Sequence, residues 1–254
     1  MRIWAASDLD RCPLEILRWS DNTPHMCGGY TLTTDLKQVA KRFGAEAPDE
    51  ISSILPRYNI APTQNVIVVS DDGKRTIKQM RWGLIPSWAK DTTIGNRMIN
   101  ARAETLAEKP AFRNALKNRR CIIPADGFYE WQKLGKMKQP MRIVLKSGQP
   151  FGFAGLWERW QSPEGEEVLS CTIITTEANE LLKAVHDRMP VILTRDAEAA
   201  WLNLNIQETE NLLPLLKKFP SDEMEFYPVS REVNSPQIDK PSDIERINIL
   251  TSDQ

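Results

Sequence analysis

The chain has 254 residues, of which 41% are hydrophobic and 26% are charged, and its formal net charge is −1. These values are ordinary for a globular protein, and the length is sufficient for a full hydrophobic core. No apolar run approaches the roughly 18 residues that a membrane helix needs, so no membrane partner is expected.

Residues 1–25 differ in character from the rest of the chain. Acidic residues interrupt their apolar positions, so they lack the continuous apolar segment of a secretory signal. We expect this extension to be absent from the active protein, followed by one domain over residues 26–240 and a polar tail over 241–254. A cytoplasmic location is the default expectation, with nucleoid association when DNA is bound.

The first predicted elements are a helix and a hairpin. "TLTTDLKQVAKRFG" is typical of an amphipathic helix, with Thr33 or Thr34 as its N-cap and Gly44 at its end. "APDEISSILP" is predicted to be a linker. "NVIVVSDDGKRTIKQMRWG" predicts a β-hairpin whose turn is Asp-Asp-Gly.

The second half of the chain predicts strands in series. A short basic helix, "KPAFRNALKNRR", precedes four strand-like segments, and two further helices follow, the second interrupted near Pro214. A last strand is predicted at "EMEFYPVS". This order favours a single α+β domain with a curved or barrel-like, mainly antiparallel sheet flanked by short helices.

Charge is unevenly distributed along the chain. Residues 81–150 hold 14 Lys and Arg against 5 Asp and Glu, an excess of nine positive charges. This excess favours a basic face that binds an anionic polymer, although a solvated surface with scattered charges explains the counts equally well.

The cysteines and histidines do not indicate a metal site. Cys12, Cys27, Cys121 and Cys171 form no C-x-x-C pair, and His25 and His186 are the two histidines of the chain. Glycine-rich phosphate-binding motifs are absent from the sequence. No metal or organic cofactor is therefore expected, and Cys121 and Cys171, in apolar strand contexts, are predicted to be inert core thiols.

Seven short segments are too specific to be core packing alone. They are "MCGGY" (26–30), "YNIAPTQ" (58–64), "RWGLIPSWAK" (81–90), "INARAET" (99–105), "RRCIIPADGFYEW" (119–131), "FAGLWE" (153–158) and "HDRMPVIL" (186–193). In this order they resemble the SOS response-associated peptidase (SRAP) family, from Met26 to about Pro236. The resemblance implies a DNA-damage function: capture of abasic sites in single-stranded DNA through an N-terminal cysteine, with self-cleavage by the thiol as the source of the word peptidase.

The chemistry of Cys27 fits that implication if Cys27 is the first residue. A free α-amine and a thiol on one residue can close on an aldehyde carbon to form a thiazolidine ring. The α-amine suits imine formation near neutral pH because its reference pKa is about 7.7–8.0, against about 10.4 for lysine. An internal cysteine would instead be a structural thiol.

Three further residues are predicted to be catalytic. Glu130, between aromatic residues, suits proton transfer and, by the resemblance, promotes ring opening and reversal; otherwise it is a solvent-facing strand residue. His186 is expected to protonate the sugar ring oxygen or hold a phosphate. Asn100 offers an amide for the Cys27 amine or a sugar hydroxyl, and the alternative is a turn or cap residue.

The DNA surface is predicted around "RWGLIPSWAK". Apolar side chains there would stack on or wedge between bases while cations hold phosphates, with one of the two tryptophans exposed and the other buried. Such a wedge would favour single strands or strand junctions over intact duplex. The predicted DNA-binding residues are Asn59, Pro62, Arg81, Trp82, Leu84, Ile85, Pro86, Trp88, Arg102, Arg113 and Arg119, with Lys90 and Arg120 extending the basic field.

One position departs from the family pattern. The family often begins Cys-Gly-Arg, whereas this chain has Cys27-Gly28-Gly29, so a phosphate contact beside the nucleophile is missing. Three functions remain open at this point: a monomeric crosslinker that shields abasic sites, a thiol peptidase using Cys27, His186 and Glu130 or Asn100, and a plain single-strand-binding module.

Overall fold

The computed structural model describes residues 28–48, 51 and 56–248. The strands are β1 Gly29–Leu32, β2 Arg57–Ile60, β3 Asn65–Asp71, β4 Arg75–Trp82, β5 Asn100–Arg102, β6 Arg120–Ala125, β7 Gly127–Leu134, β8 Met137–Leu145, β9 Phe151–Gln161, β10 Glu167–Glu177, β11 Arg188–Pro190, β12 Ile192–Leu193 and β13 Met224–Pro228. The α-helices are α1 Leu36–Phe43, α2 Arg113–Asn118, α3 Arg195–Leu202 and α4 Thr209–Leu212. Short 3₁₀ helices lie at Thr92–Arg97, Ala103–Thr105, Leu182–Ala184, Leu213–Leu215, Ser221–Glu223, Arg231–Asn234 and Pro241–Ile244.

Backbone pairing closes a barrel. β3 pairs with β4 and β6, β6 pairs with β9, β9 pairs with β10, and β10 returns to β4. Within this ring the β10–β4 contact is parallel and the others are antiparallel. β5 and β11 extend the ring at β10, and β12 extends it at β9. The predicted α+β domain with a barrel-like, mainly antiparallel sheet is confirmed.

A second antiparallel sheet packs against the barrel. Its strand order is β13-β8-β7-β1-β2. Tyr30 of β1 and Phe128 of β7 meet Phe153 of the barrel strand β9 edge-on, with ring centroids 5.9 Å apart in both pairs. Such pairs add about 0.5–1.5 kcal/mol each beyond the burial of their area, so they hold the two sheets in one core.

Local signals explain where the predicted elements begin and end. Gly44 ends α1 in the left-handed conformation, with φ at 60°, as predicted. The predicted threonine cap is wrong, because the Asp35 carboxylate accepts the cap hydrogen bond from Gln38 N at 2.9 Å. The hairpin turn also follows the prediction, with Gly73 at φ 95° between β3 and β4.

The segment after β13 wraps back over the second sheet. Ile247 N donates to Pro228 O at 3.0 Å, and Asp243 in the turn Pro241–Ile244 is fully buried. The first residues of the predicted polar tail are therefore packed on the domain. The predicted linker, residues 47–56, lies partly outside the described residues. None of the described helices combines the length and apolar character needed to cross a membrane.

Arg120 supports the fold and does not extend the basic surface. It is buried, and its guanidinium donates to the carbonyl oxygens of Leu116, Lys117, Trp201 and Asn203 at 2.6–2.8 Å. Burial lowers the pKa of Arg120 to about 10, so the group stays charged at neutral pH. The predicted role of Arg120 in the basic field is wrong, because this side chain ties α2 and the end of α3 to β6.

We expect Arg120→Ala to lower the free energy of unfolding by about 3–5 kcal/mol, since four buried carbonyls lose a charged donor and a cavity opens. Urea unfolding at pH 7 measures the change. Arg113→Ala is the control, because Arg113 is exposed on α2 and its loss should change stability by less than about 0.5 kcal/mol. Equal stabilities of the two variants would contradict this role.

Candidate functional site

The described residues begin at Gly28, directly after the predicted nucleophile Cys27. Met26 and Cys27 lie outside the described residues, and Gly28 is buried directly before β1. Gly29 pairs with Tyr129 of β7, and the next residue of β7 is Glu130. Glu130 is 2% exposed, so the alternative of a solvent-facing strand residue is wrong. A buried carboxylate therefore lies on the strand that pairs with the first residues after Cys27.

A buried polar network fixes the other end of β1. The carboxylate of Asp126, just before β7, accepts from Thr31 Oγ1 at 2.7 Å and from Thr34 N at 3.0 Å. Arg142 of β8 donates to Thr31 Oγ1 at 3.0 Å and forms an ion pair with Asp126 at 3.4 Å. Because one register shift would break these bonds, the network holds β1 in place beside Glu130.

His186 lies between a 3₁₀ helix and β11 and is half-buried. Arg188 N donates to His186 Nδ1 at 3.1 Å, and Asp187 Oδ1 lies 2.9 Å from the same nitrogen. Burial lowers the pKa of His186 from its ordinary value of 6.5, and the Asp187 carboxylate opposes this shift. Asp187 is largely exposed, so solvent screens its charge and burial dominates. Burial thus favours the neutral form of the imidazole, and both of these contacts are made at Nδ1.

We expect the pKa of His186 to lie below 6.5 and to fall further in Asp187→Asn, because the carboxylate that raises it is removed. NMR titration of the imidazole carbon resonances in protein beginning at Cys27 measures this directly, since His186 is then the only histidine. Glu180→Gln, which removes an exposed carboxylate paired with Lys183, is the control and should leave the titration unchanged. A higher pKa in Asp187→Asn would contradict the assignment.

Asn100 and Arg102 lie on β5, as the predicted extended segment requires. Asn100 is half-buried opposite Ile173, and Arg102 is exposed opposite Thr175 of β10. Residues two apart on a strand share a face, so their side chains lie on the same side of β5. An amide near the barrel and a cation toward solvent are thus aligned on one face.

Side-chain contacts join β5, the segment that carries His186, and β7. Arg188 forms a bidentate ion pair with Glu104, at 2.7 and 2.9 Å, and also donates to Thr175 O at 2.8 Å. Gln132 Nε2 of β7 donates to Ala184 O at 3.1 Å, two residues before His186. The structure therefore connects β5, which carries Asn100, to the His186 segment, and that segment to β7, which carries Glu130.

Sequence reasoning missed Glu104, Arg188 and Asp126 as positioning residues. Glu104 and Arg188 are opposite charges inside two of the seven quoted motifs, "INARAET" and "HDRMPVIL". That complementarity was a signal for their pairing. Asp126 lies in a third motif. Its partners are the threonines at positions 31, 33 and 34, and no sequence pattern links them to Asp126.

Asn59 holds the C-terminal segment rather than facing an open pocket. It is buried, and its Nδ2 donates to the carbonyl oxygens of Val233, Ser235 and Ile238 at 2.8–3.2 Å. Its donor hydrogens are therefore engaged within the protein. Its predicted contact with DNA would need this clamp to open.

A strained turn follows Asn59. Thr63 has φ at 72°, an unusual conformation for a β-branched residue, and Gln64 N donates to Ala61 O at 3.3 Å across the turn. Thr63 N donates to Trp82 O at 2.8 Å, which ties the turn to β4. Pro62, predicted to contact DNA, is half-buried at the centre of this turn.

The predicted apolar wedge is mostly buried. Trp82 donates from Nε1 to Ile99 O at 2.8 Å, and Ile85 N donates to Ser170 Oγ at 2.8 Å. Trp82, Leu84 and Ile85 are 0% exposed and Pro86 is also buried, so these four side chains have no surface from which to touch bases. Trp88 is 60% exposed, which confirms that one tryptophan is buried and the other is at the surface.

The predicted cations differ in their availability. Arg81 is half-buried and donates to Asn96 Oδ1 at 2.7 Å, and burial lowers its pKa. Arg119 forms an ion pair with the buried Glu158 at 2.8 Å. Lys90 and Arg113 are exposed. The exposed cations Lys90, Arg102 and Arg113 are therefore the best placed to meet phosphates.

Position 29, where the family often has arginine, is sterically crowded. A Cβ built on Gly29 would lie 3.3 Å from the Tyr129 ring and 3.8 Å from Asn59 Oδ1. A side chain there would press on Tyr129 unless the ring shifted by a few tenths of an ångström. Gly29 thus packs closely against Tyr129, with little room for a larger residue.

The described thiols are not nucleophiles. Cys121 and Cys171 are buried and free, and burial raises the pKa of both well above the ordinary thiol value. Their prediction as inert core thiols is confirmed. Among residues 28–48, 51 and 56–248, the His, Cys, Asp and Glu side chains form no group of three that could hold a metal ion.

Comparison with known proteins identifies the family. The SOS response associated peptidase (SRAP) family matches residues 26–236. Abasic site processing protein YoqW of Bacillus subtilis is 50% identical over 222 residues, covering 87% of this chain and 99% of that protein. Abasic site processing protein HMCES of Xenopus tropicalis is 34% identical over 218 residues, covering 73% of this chain and 64% of its own length.

A solved structure shares the fold. The crystal structure of a Bacteroides thetaiotaomicron protein superposes with a TM-score of 0.81 at 30% identity, covering 87% of this chain and all of that one. The family match spans all seven motifs, and the identity to YoqW extends over nearly that protein's whole length. The chain therefore belongs to the SOS response associated peptidase (SRAP) family.

Proposed function

We propose that this protein recognises abasic sites in single-stranded DNA and captures them as a covalent crosslink through Cys27, which shields the lesion. The relatives named as abasic site processing proteins support the substrate. The observation that carries the proposal is the buried Glu130 on β7, the strand paired with the residues that directly follow Cys27. Cys27 stands two residues before Gly29 in the sequence.

The proposed reaction needs no external reagent. The open-chain sugar aldehyde condenses with the Cys27 amine, releasing water and forming an imine. The thiol then adds to the imine carbon while its proton passes to the nitrogen, which closes a five-membered thiazolidine. Both bonds form on one carbon, so the adduct is more persistent than an imine alone, and reversal runs through the same steps.

The neighbouring side chains supply the proton transfers. Glu130 takes a proton from the attacking amine and returns one to the departing water. His186, when protonated, gives a proton to the sugar ring oxygen, or it donates a hydrogen bond to a phosphate oxygen. Asn100 orients the amine or a sugar hydroxyl, and Glu104 with Arg188 keeps the segments of Asn100 and His186 together.

DNA contacts come from the exposed groups of the predicted surface. Trp88 provides a flat apolar ring for a base, and Lys90, Arg102 and Arg113 provide cations for phosphates. The buried Trp82, Leu84 and Ile85 support the loop that presents Trp88. A single strand, alone or at a junction with duplex, can reach an aldehyde that a stacked duplex would hide.

One experiment tests this function. Protein beginning at Cys27 is incubated with single-stranded DNA that contains one abasic site, and the products are separated on a denaturing gel. The proposal expects a shifted band that requires both the lesion and the free N-terminus. DNA bound only under native conditions, with no band surviving denaturation, would show a plain single-strand-binding module and overturn covalent capture.

A thiol peptidase remains the second candidate function, because the segment that carries His186 is hydrogen-bonded to the strand that carries Glu130. Such an activity would act on residues 1–26 and expose Cys27. Protein made with these residues should then shorten by their mass, measured by intact mass spectrometry, and Cys27→Ala should keep its full length. Turnover of unrelated peptides without a DNA adduct would favour a general peptidase over the crosslinker.

We expect Arg102→Ala to weaken noncovalent DNA binding and to flatten the plot of log K against log salt by up to about one unit, as the loss of one phosphate contact requires. Fluorescence anisotropy over a salt series measures the slope. Arg195→Ala removes an exposed arginine on α3 and is the matched control. An unchanged slope in Arg102→Ala would place Arg102 outside the DNA path.

A further inference from the structure

The tip of the β7–β8 hairpin, residues 133–138, carries exposed apolar groups that the proposed reaction does not use. Gly135 has φ at 60°, as the first position of a tight type II′ turn requires, and Leu134 pairs with Met137 across it. Leu134 is 37% exposed and Met137 is 59% exposed. With Trp88, they are the large hydrophobic side chains that the described part of the chain leaves exposed.

The apolar pair continues the face of the hairpin that carries Glu130. Side chains alternate along a strand, so Glu130, Gln132 and Leu134 lie on one face, and directly opposite partners such as Met137 share it. Gln132, between Glu130 and Leu134, donates to Ala184 O in the segment that leads to His186. One continuous face therefore runs from the candidate catalytic residues to the exposed tip.

The other face of the tip is basic. Lys133 lies directly opposite Lys138, Lys136 lies in the turn, and residues 133–138 contain no acidic residue. Lys133 and Lys136 are exposed, so an anionic partner bound at the tip would gain a favourable interaction with each of them.

We infer that the hairpin tip binds nucleotides flanking the abasic site on the captured DNA strand, with Leu134 and Met137 against bases and the lysines against phosphates. This inference rests on the proposed function. At about 3.3 Å per residue the tip lies about 13 Å beyond Glu130 along β7. At about 3.4 Å per stacked nucleotide, that distance corresponds to about four nucleotides from the lesion.

DNA fits this surface better than an acidic protein segment does. A strand held with its lesion at Glu130 already lies within reach of the tip, so binding there needs no second partner. Apolar side chains such as leucine and methionine contact base faces without reading sequence, which suits a lesion that occurs in any sequence.

The test uses single-stranded DNA with a tetrahydrofuran abasic analogue, which has no aldehyde, so noncovalent affinity is measured whether or not crosslinking occurs. Two lengths are compared, with flanks of about two nucleotides or about eight nucleotides on each side of the lesion, shorter and longer than the reach to the tip. The advantage of the long DNA is expressed as the dissociation constant of the short DNA divided by that of the long DNA. We expect Leu134→Ser/Met137→Ser and, separately, Lys133→Ala/Lys136→Ala to reduce this ratio by about tenfold.

Lys74→Ala is the control, because Lys74 lies beside the turn of the β3–β4 hairpin and is likewise exposed. It should keep the parent ratio, and circular dichroism should show all variants folded. Parent-like ratios in both tip variants would overturn the inference and leave the tip free for an acidic protein partner. Loss of covalent capture in the aldehyde-containing DNA assay would instead count against the proposed function, since the analogue does not report on crosslinking.

Discussion

Cys27→Ala, in protein that begins at residue 27, is expected to abolish the stable crosslink to abasic single-stranded DNA. The variant keeps its free α-amine, so it still forms the imine, but it has no sulfur to close the ring. Imines hydrolyse in water, and no adduct should survive a denaturing gel. Borohydride reduces an imine to a stable amine, so the variant should give a shifted band only when borohydride is present during the reaction.

Two controls test the N-terminal aminothiol. Protein that retains Met26 has Cys27 in an internal peptide, so it should give no stable band without borohydride. Cys121→Ala keeps the N-terminal aminothiol and removes a buried thiol, so its adduct should match the parent's. A stable adduct in Cys27→Ala without reductant would end the thiazolidine proposal.

Glu130→Gln is expected to slow crosslink formation or reversal by about 100- to 10,000-fold, the range typical of general acid–base groups. The amide has the shape of the carboxyl group but cannot exchange a proton with the amine or the departing water. DNA affinity should stay close to that of the parent, because Glu130 is buried and bears no positive charge. Quenched time courses on denaturing gels give the rate, and fluorescence anisotropy gives the affinity.

Glu198→Gln is the matched control for removing a buried carboxylate. Glu198 is 6% exposed and accepts both donors of a bidentate pair from Arg42 at 2.8 Å, between α3 and α1. This variant should lose stability yet crosslink at the parent's rate while it remains folded. If Glu130→Gln crosslinks as fast as Glu198→Gln, Glu130 has no part in proton transfer.

Local patterns explain why much of the fold was predictable. The helix ending at Gly44, the hairpin turning at Gly73, and the break near Pro214 each follow from the conformation that one glycine or proline allows. The cap of α1 was misassigned because Thr33, Thr34 and Asp35 are all good caps. Thr33 and Thr34 instead bind the Asp126 carboxylate, more than 90 residues away in the sequence.

The sequence indicated which residues belong to the candidate site better than it indicated which of them are exposed. Trp82 and Trp88 lie in the same motif, yet Trp82 is fully buried and Trp88 is 60% exposed. Arg119 and Arg120 are adjacent, yet Arg120 alone is buried under four carbonyls. Such differences depend on which residues pack above each position, and those residues come from β10, α3 and other distant segments.

The order of residues alone determines which reactive groups this protein holds. It holds a cysteine that becomes a terminal aminothiol if the chain starts there, and seven motifs in family order. Tertiary structure decides which segments lie together, because strand pairing sets Glu130 beside β1 and the Glu104–Arg188 and Gln132–Ala184 contacts join three distant segments. The physical reason is that each residue carries its own functional groups. Its burial and its hydrogen-bond partners depend on all the segments that pack around it.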